Sequence, residues 1–360
     1  MTISPGVQGN GSLINRRGTM SEQSPKENLE LAARDELLPK DAIAVLEGES
    51  LPEEQPEKIV VDHSKLYVWV ADAGNDRIQK FNGNGKFLSA FGRSGGTRAP
   101  YNPGEFKTPS AVTVDSSGNI WVADTGCHRI QKFDPDGDFL HEFGGEGWGQ
   151  EKFYWPEGII AEPTGTILVV DTHNHCVKRY DDDGDFLLSF GFAGDFDGFF
   201  KFPIGVALDK EGNIYVADRD NQRIQIFNED GQFLSKFGEY GSEQGRLNFP
   251  SGIFVRRDGT ILVTEKSQNR LQLFSREGES LGVLGEPGKR DGQFNCPVAV
   301  AEDPYGYVFV VDTINQRIQK FDPDLNFVSK WGVVGKEPGQ FKDPVGICLS
   351  WEPDWAPQGE

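Results

Sequence analysis

Short runs of apolar and polar residues recur along the chain, and residues 213–238 show the pattern most clearly. A run rich in β-branched and aromatic residues ends there at Asp218, and a second run alternates apolar and polar side chains, as a half-buried strand does. Residues 229–231 (Glu-Asp-Gly) have the composition of a tight turn, in which glycine can take a positive φ. A third run stops at Gly238. The pattern therefore predicts three short strands joined by two turns.

An acidic residue closes the first strand of each such stretch. Successive acids are separated by 52 residues once and by 47 residues four times. These anchor acids are Asp72, Asp124, Asp171, Asp218, Glu265 and Asp312. An arginine lies five residues after every anchor except the third, where Cys176 takes its place and Lys178 is a candidate substitute. A period of this length indicates a stacked or radial array of repeats.

A Pro-x-Gly or Pro-x-Ala motif with apolar residues precedes each copy from the second onward, which predicts a fourth strand in each repeat. Four antiparallel strands repeated six times predict an all-β fold, a six-bladed β-propeller, in which radial closure protects the strand edges. The same motif recurs at Pro344 with no blade after it. The ring needs one inner strand at this point, and either the Pro344 segment or residues 59–61 can supply it.

The sequence Pro-x-Gly-Ile-x-Val, then Ile-x-Val-Ala-Asp, then Asn-x-Arg-Ile-Gln-x-Phe, resembles the NHL repeat. Asn174-His175 keeps the first two letters of the Asn-His-Leu triplet that gives the repeat its name. The resemblance covers about residues 57–350 and implies a six-bladed NHL β-propeller. A fold of this kind hosts many functions, so the resemblance alone assigns none.

Residues 1–56 lie outside the repeats and are rich in Glu, Ser, Pro and Gly. We predict that they form a disordered acidic leader, in which residues 27–38 have the spacing of a short, marginal amphipathic helix. The alternative is that this segment binds a partner. Residues 351–360 are expected to leave the ring as a C-terminal tail. The chain is therefore predicted to have three parts, with the propeller as its single folded domain.

The net charge of −20 disfavours partners that carry negative charge. Nucleic-acid binding needs clustered Lys and Arg, so the RNA binding known for some NHL propellers is disfavoured here. An anionic membrane surface is disfavoured for the same reason. No run approaches the length of a membrane span, and residues 1–20 lack the apolar segment of a signal peptide. We expect a monomeric cytoplasmic protein with a protein or peptide partner.

The repeated anchor acid and arginine are predicted to be structural. An arginine fork can hold a carboxylate through two hydrogen bonds, across the turn or to a neighbouring blade. A catalytic site is needed once, whereas this pair recurs with almost every repeat.

The third copy departs from this rule, and Cys and His residues in and near it are candidate zinc ligands. Zinc takes sulfur and nitrogen ligands in a tetrahedron. The candidate ligands lie in turns expected on one face: Cys127, His128, His173, His175 and Cys176. The alternative is that they are ordinary turn residues, since two of the histidines occupy the usual histidine position of the repeat.

Acidic hairpin turns on the opposite face, such as residues 134–138, raise the possibility of calcium. They lack the further ligands of a calcium loop, and aspartate in a short turn also forms local hydrogen bonds. We expect no cofactor, with zinc or calcium as the alternatives.

Two groups of enzymes are similar to this kind of propeller. The peptide-amidating lyase carries histidine ligands for zinc where the inner strands begin, but this chain has only Gly or Ala there. Lactonase-type propellers hold a divalent ion near the channel, and Glu157 is the acid that begins an inner strand here. A metal-dependent lyase or lactonase-type hydrolase is therefore the alternative function.

Aromatic residues in the loops before the inner strands carry the leading hypothesis. One set recurs in every repeat and is predicted to be packing: Phe106, Phe153, Phe200, Leu247, Phe294 and Phe341. Other aromatics do not recur throughout and resemble interface anchors: Trp148, Tyr154, Trp155, Phe202 and Phe249, with Phe192, Phe196 and Phe199 nearby. We predict a non-enzymatic scaffold that binds a protein or peptide through this aromatic loop face, with Glu157 beside it.

Overall fold

Each repeat folds into a four-stranded antiparallel sheet, and the inner strands of six such sheets contact one another in a closed ring. The structure is a computed structural model that describes residues 61–96 and 101–352. The predicted leader, and the tail from residue 353 onward, lie outside the described residues. The expected six-bladed β-propeller is confirmed.

The strands of a blade run in sequence order from the channel to the rim, except in blade one. The inner strands of blades one to six are Pro344–Trp351, Ala111–Val114, Pro156–Ala161, Pro203–Leu208, Pro250–Val255 and Pro297–Glu302. The second strands are Leu66–Asp72, Ile120–Asp124, Ile167–Asp171, Ile214–Asp218, Ile261–Glu265 and Val308–Asp312. The third strands are Arg77–Asn82, Arg129–Phe133, Cys176–Tyr180, Arg223–Phe227, Arg270–Phe274 and Arg317–Phe321. The outer strands are Phe87–Phe91, Phe139–Gly144, Phe186–Phe190, Phe233–Phe237, Ser280–Leu284 and Phe327–Trp331.

Outside the blades, Arg93–Ser94 pairs in parallel with Glu105–Phe106. The helical turns of the described residues are all of the 3₁₀ type. They are His63–Lys65, Ala73–Asn75, Thr125–Cys127, Thr172–Asn174 and Arg219–Asn221.

Both ends of the described chain build blade one. Pro344–Trp351 pairs antiparallel with Leu66–Asp72, with Val68 opposite Leu349. The inner strand that closes the ring is therefore the C-terminal one, and Val61 lies outside any strand.

The core consists of layers between neighbouring blades. Alternate side chains of a second strand pack toward opposite neighbours: Val68 joins the cluster shared with blade six, whereas Trp69 joins the cluster shared with blade two. The period of two along a strand explains why these strands are apolar on both faces. The recurring aromatic or leucine side chains before the inner strands are completely buried, which confirms that they are packing residues.

The anchor acid is the centre of a buried hydrogen-bond network. In blade four the carboxylate of Asp218 accepts bonds from Arg223 Nε at 2.7 Å, Asn221 Nδ2 at 2.8 Å and the backbone N–H of Lys201 at 2.7 Å. The guanidinium of Arg223 also donates to backbone carbonyls of the preceding loop, including that of Phe199 at 2.8 Å. In the five blades that have the arginine, the Nε–carboxylate distance is 2.6–2.9 Å. The pair is structural, as predicted, because it fastens the loop to the blade.

Blade three reaches the same arrangement with other residues. Lys178 Nζ lies 2.8 Å from Asp171 Oδ2 and donates to the carbonyls of Gly149 and Lys152 at 2.5 Å each. These carbonyls occupy the positions that the Arg223 fork binds in blade four. Lys178 therefore replaces the missing arginine, and Cys176 is left as a buried strand residue.

Candidate functional site

The loops before the inner strands meet the turns after the anchor acids. The backbone N–H of His173 donates to the carbonyl of Tyr154 at 3.0 Å, and that of Lys266 donates to the carbonyl of Phe249 at 3.3 Å. The two sets of segments therefore share one face of the propeller.

The residue before each inner-strand proline has a left-handed backbone that holds its side chain in place. Trp155, Phe202 and Phe249 have φ values of 56°, 48° and 55°. Such values are unfavourable for residues other than glycine. The chain takes this conformation because it turns sharply into the inner strand. A side chain of the preceding blade stabilises the turn: the Trp155 N–H donates to Nδ1 of His128 at 3.0 Å.

The same link recurs at every blade boundary. The backbone N–H groups of Phe202 and Phe249 donate to His175 Nδ1 at 3.1 Å and to Gln222 Oε1 at 2.6 Å. The remaining donor–acceptor pairs are Thr108 with Asp76, Cys296 with Asn269 and Asp343 with Gln316. His128 and His175 thus occupy a structural position of the repeat.

Three predicted binding residues join three histidines in one surface group, which we call the aromatic–histidine cluster. Its members are Tyr154, Trp155, Phe202, His128, His173 and His175. The His173 ring stacks on Trp155 with centroids 5.8 Å apart and meets the edge of Phe202 at 5.1 Å. Trp155 remains 40% exposed. The Arg219 guanidinium lies 5.3 Å from the Phe202 ring centre and adds a cation at the rim.

The other predicted aromatic residues lie outside this cluster. Trp148 is 79% exposed in the loop before blade three, and Phe249 holds the position equivalent to Trp155 two blades further on. Phe192 and Phe196 are both exposed and contact Phe199. The structure therefore brings together only some of the aromatic residues that the sequence groups.

The environments of the predicted zinc ligands do not favour metal binding. His128 and His175 use Nδ1 as a hydrogen-bond acceptor, and burial lowers the pKa of both imidazoles. Burial, and then the nearby Asp171, raise the pKa of Cys176 to about 12, which opposes the thiolate that zinc binds. Burial likewise raises the pKa of Cys127. Across residues 61–96 and 101–352, no group of three or more His, Cys, Asp or Glu side chains could hold a metal ion.

In the acidic turns of the opposite face, the first aspartate accepts hydrogen bonds from backbone N–H groups of its own turn. Asp134 Oδ1 accepts the backbone N–H groups of Asp136 at 3.0 Å and Asp138 at 2.8 Å. Asp134 thus stabilises the hairpin through local hydrogen bonds, and calcium binding there stays the alternative.

Glu157 lies at the mouth of the central channel, where it lines a cavity of about 150 Å³ with Ser110, Ser251 and Lys266. Sequence reasoning missed Lys266, which directly follows the anchor Glu265. The equivalent residue in three other repeats is threonine, so comparing the copies at this position would have revealed a cation there. Burial lowers the pKa of Lys266, against the attraction of Glu157.

Comparisons with known proteins support the presence of NHL repeats in this chain. The family model described as the NHL repeat matches residues 106–133, 153–180 and 200–227. The chain is 38% identical over 86 residues to NHL repeat-containing protein 3 of Homo sapiens, an alignment that covers 23% of either protein. It is 34% identical over 102 residues to peptidyl-glycine alpha-amidating monooxygenase A of Xenopus laevis, covering 28% of this chain and 11% of that protein. These alignments thus span at most about a quarter of each relative.

Solved structures share the fold at low sequence identity. A chain of a nidogen/laminin complex superposes with a TM-score of 0.58 at 16% identity, covering 79% of this chain and 98% of that one. A streptogramin B lyase superposes with a TM-score of 0.55 at 16% identity, covering 81% and 89%. No helix among the described residues is long and apolar enough to cross a membrane.

Proposed function

Since this chain contains NHL repeats and folds as a six-bladed propeller, we propose that it is a non-enzymatic β-propeller scaffold that binds a protein or peptide through the aromatic–histidine cluster. The observation that carries the proposal is the cluster itself, in which partly exposed rings stack on one another at one face. Aromatic side chains of this kind dominate the energetics of protein interfaces. Exposed apolar patches on otherwise polar surfaces also mark interaction sites.

The cluster is organised before any partner arrives. The left-handed backbone and the hydrogen bond to His128 fix Trp155, and His173 packs against its ring. A side chain that is already ordered loses little conformational entropy when it binds, which favours affinity. Arg219, over the Phe202 ring, offers a charged contact at the edge of the same surface.

Trp148 and Phe249 extend the proposed surface, and the partner is expected to be a polypeptide rather than a nucleic acid because the chain carries a net charge of −20. The four cysteines, all within the described residues, are unpaired. Unpaired cysteines suit a reducing compartment, so the proposal includes a cytoplasmic, monomeric propeller.

The alternative is a metal-dependent lyase or lactonase-type hydrolase that uses Glu157. It draws support from the sequence match to the amidating monooxygenase and from the fold shared with the streptogramin lyase. Such an activity would depend on a bound metal ion and would be abolished by a chelator.

The scaffold proposal is tested by selecting peptides from a displayed library against the full chain and measuring the affinity of the selected peptides by fluorescence anisotropy. Trp155→Ala and Phe202→Ala should each weaken binding about tenfold or more, the effect of losing an interface anchor. Leu234→Ala is the matched control, because Leu234 is an exposed apolar residue on an outer strand. Equal affinity of the peptides for Trp155→Ala and the unmodified chain, or a selection that yields no peptide, would overturn the proposal.

A further inference from the structure

The mouth of the central channel is a small polar cavity with apolar walls. Ser110, Glu157, Ser251 and Lys266 supply its polar groups, and the walls include Ile204 and Val298. The residues come from several blades, so the cavity exists only in the closed ring. We call it the channel-mouth cavity.

The polar groups of this cavity are largely unused by the protein. Within the described part of the chain, the Lys266 amine and the Glu157 carboxylate make no hydrogen bond and no ion pair with each other or with other groups. Ser251 is 1% exposed, and its hydroxyl also makes no hydrogen bond there. Lys266 and Glu157 are partly exposed where they line the cavity, so their charged groups are available to a ligand.

In three of the other repeats, the polar side chain at the position equivalent to Lys266 has a partner in the protein. The hydroxyls of Thr125 and Thr313 donate to the carbonyls of Pro156 at 2.6 Å and Pro344 at 2.8 Å. Arg219 pairs with Asp220 at 2.6 Å. Lys266 departs from this arrangement and places a cation in the cavity with Glu157. A cation and a carboxylate that share a cavity without touching leave room for a ligand that contacts both.

We propose that the channel-mouth cavity binds a small zwitterion, whose carboxylate pairs with Lys266 and whose ammonium group pairs with Glu157. Free α-amino acids with an apolar side chain are the simplest molecules of this class. A simple anion would satisfy Lys266 but would face Glu157, and a simple cation would face Lys266, so charge complementarity favours a ligand with both charges. The Ser251 hydroxyl offers a further hydrogen bond, and Ile204 and Val298 accommodate an apolar side chain.

Burial lowers the pKa of Lys266, and a carboxylate ligand would favour its charged form. No residue of the aromatic–histidine cluster lines the cavity, so we expect amino-acid binding to be independent of peptide binding.

The direct test is isothermal titration calorimetry of the full chain with the free amino acids leucine, valine, methionine and phenylalanine. Two analogues of leucine isolate the charges: the methyl ester lacks the carboxylate, and N-acetyl-leucine lacks the ammonium group. We expect saturable binding of at least one free amino acid and at least about tenfold weaker binding of the corresponding ester and N-acetyl derivatives, as for a lost hydrogen bond to a charged group. The absence of binding by all four amino acids, or equal binding of either derivative, would overturn the proposal.

Lys266→Met and Glu157→Gln remove one charge each and should each weaken amino-acid binding at least about tenfold. Lys210→Met is the matched control, because Lys210 is an exposed lysine in a turn outside the cavity. Thermal unfolding followed by circular dichroism establishes that each variant is folded. Trp155→Ala should retain amino-acid binding, which separates this site from the peptide-binding proposal.

Discussion

Nδ1 of His175 accepts a hydrogen bond from the backbone N–H of Phe202 at 3.1 Å, across the boundary between blades three and four. His128 makes the same bond to Trp155 one boundary earlier. An imidazole can accept at Nδ1 only while that nitrogen carries no proton. Two of the six boundaries therefore depend on neutral histidine, whereas Gln, Asn or Asp serves at the others.

Acidification should weaken these two boundaries. Burial lowers the pKa of His128 and His175 below the usual value of about 6.5, so the unfolded chain takes up protons first as the pH falls. The stability that the neutral rings contribute is present above about pH 6.5 and is lost as the pH falls through that value. Urea unfolding at intervals between about pH 8 and pH 5 measures the effect.

The chain supplies the control for this prediction. Gln222 and Gln316 accept the equivalent bond with the same left-handed backbone. The double variant His128→Gln/His175→Gln should therefore match the unmodified chain near pH 8 and lose less stability at pH 5. If both proteins follow the same pH profile, the histidine links do not contribute to it.

In blade three, Lys178 pairs with the anchor acid and Cys176 stands where the other blades have arginine. A double-mutant cycle can test this replacement. Lys178→Gln removes the cation that pairs with the completely buried Asp171, and should cost about 3 kcal/mol of unfolding free energy. Cys176→Arg alone places a second cation beside Lys178 and should also destabilise the protein. The double variant recreates the pattern of the other blades and should recover most of the loss. Additive losses in chemical denaturation would contradict this account of Lys178.

The glycines at the starts of the inner strands should not tolerate a side chain. A Cβ atom on Gly205 would lie 2.1 Å from the backbone oxygen of Ser251 in the next blade. Gly205→Ala should therefore destabilise the protein by about 1–3 kcal/mol through overpacking. Gly282→Ala is the matched control in an outer strand, where a Cβ atom meets no atom within 4 Å. It should be neutral or stabilising by up to about 1 kcal/mol. Similar denaturation midpoints for the two variants would show that the boundary can relax.

Elemental analysis of protein purified without chelator tests the metal-dependent alternative. We expect no stoichiometric zinc or calcium, because His128 and His175 already use one ring nitrogen each and Cys176 is buried in a strand. Mutation of His173 should accordingly leave the metal content unchanged. Near-stoichiometric metal would contradict the plain scaffold and would direct attention to Glu157 and the histidine turns.

The blades could be predicted from the sequence. The fixed period placed the strands, and the anchor pair Asp218 and Arg223 was evident because its members are separated by one turn and recur. Recurrence also identified the buried packing set before the inner strands, since a position repeated around a ring meets the same environment each time. Departure from recurrence correctly marked Cys176 and Lys178 as the altered pair.

The contacts between side chains of different blades became clear only from the folded ring. Sequence grouped His128 and His175 with cysteines as zinc ligands, whereas closure of the ring placed them against Trp155 and Phe202 of the following blades. The choice of closing strand, and the placement of Lys266 and Glu157 in one cavity, likewise depend on contacts between segments far apart in the chain. Periodicity fixes the face on which a residue lies, but the distance between residues of different blades is set by how closely the glycine-lined inner strands approach one another.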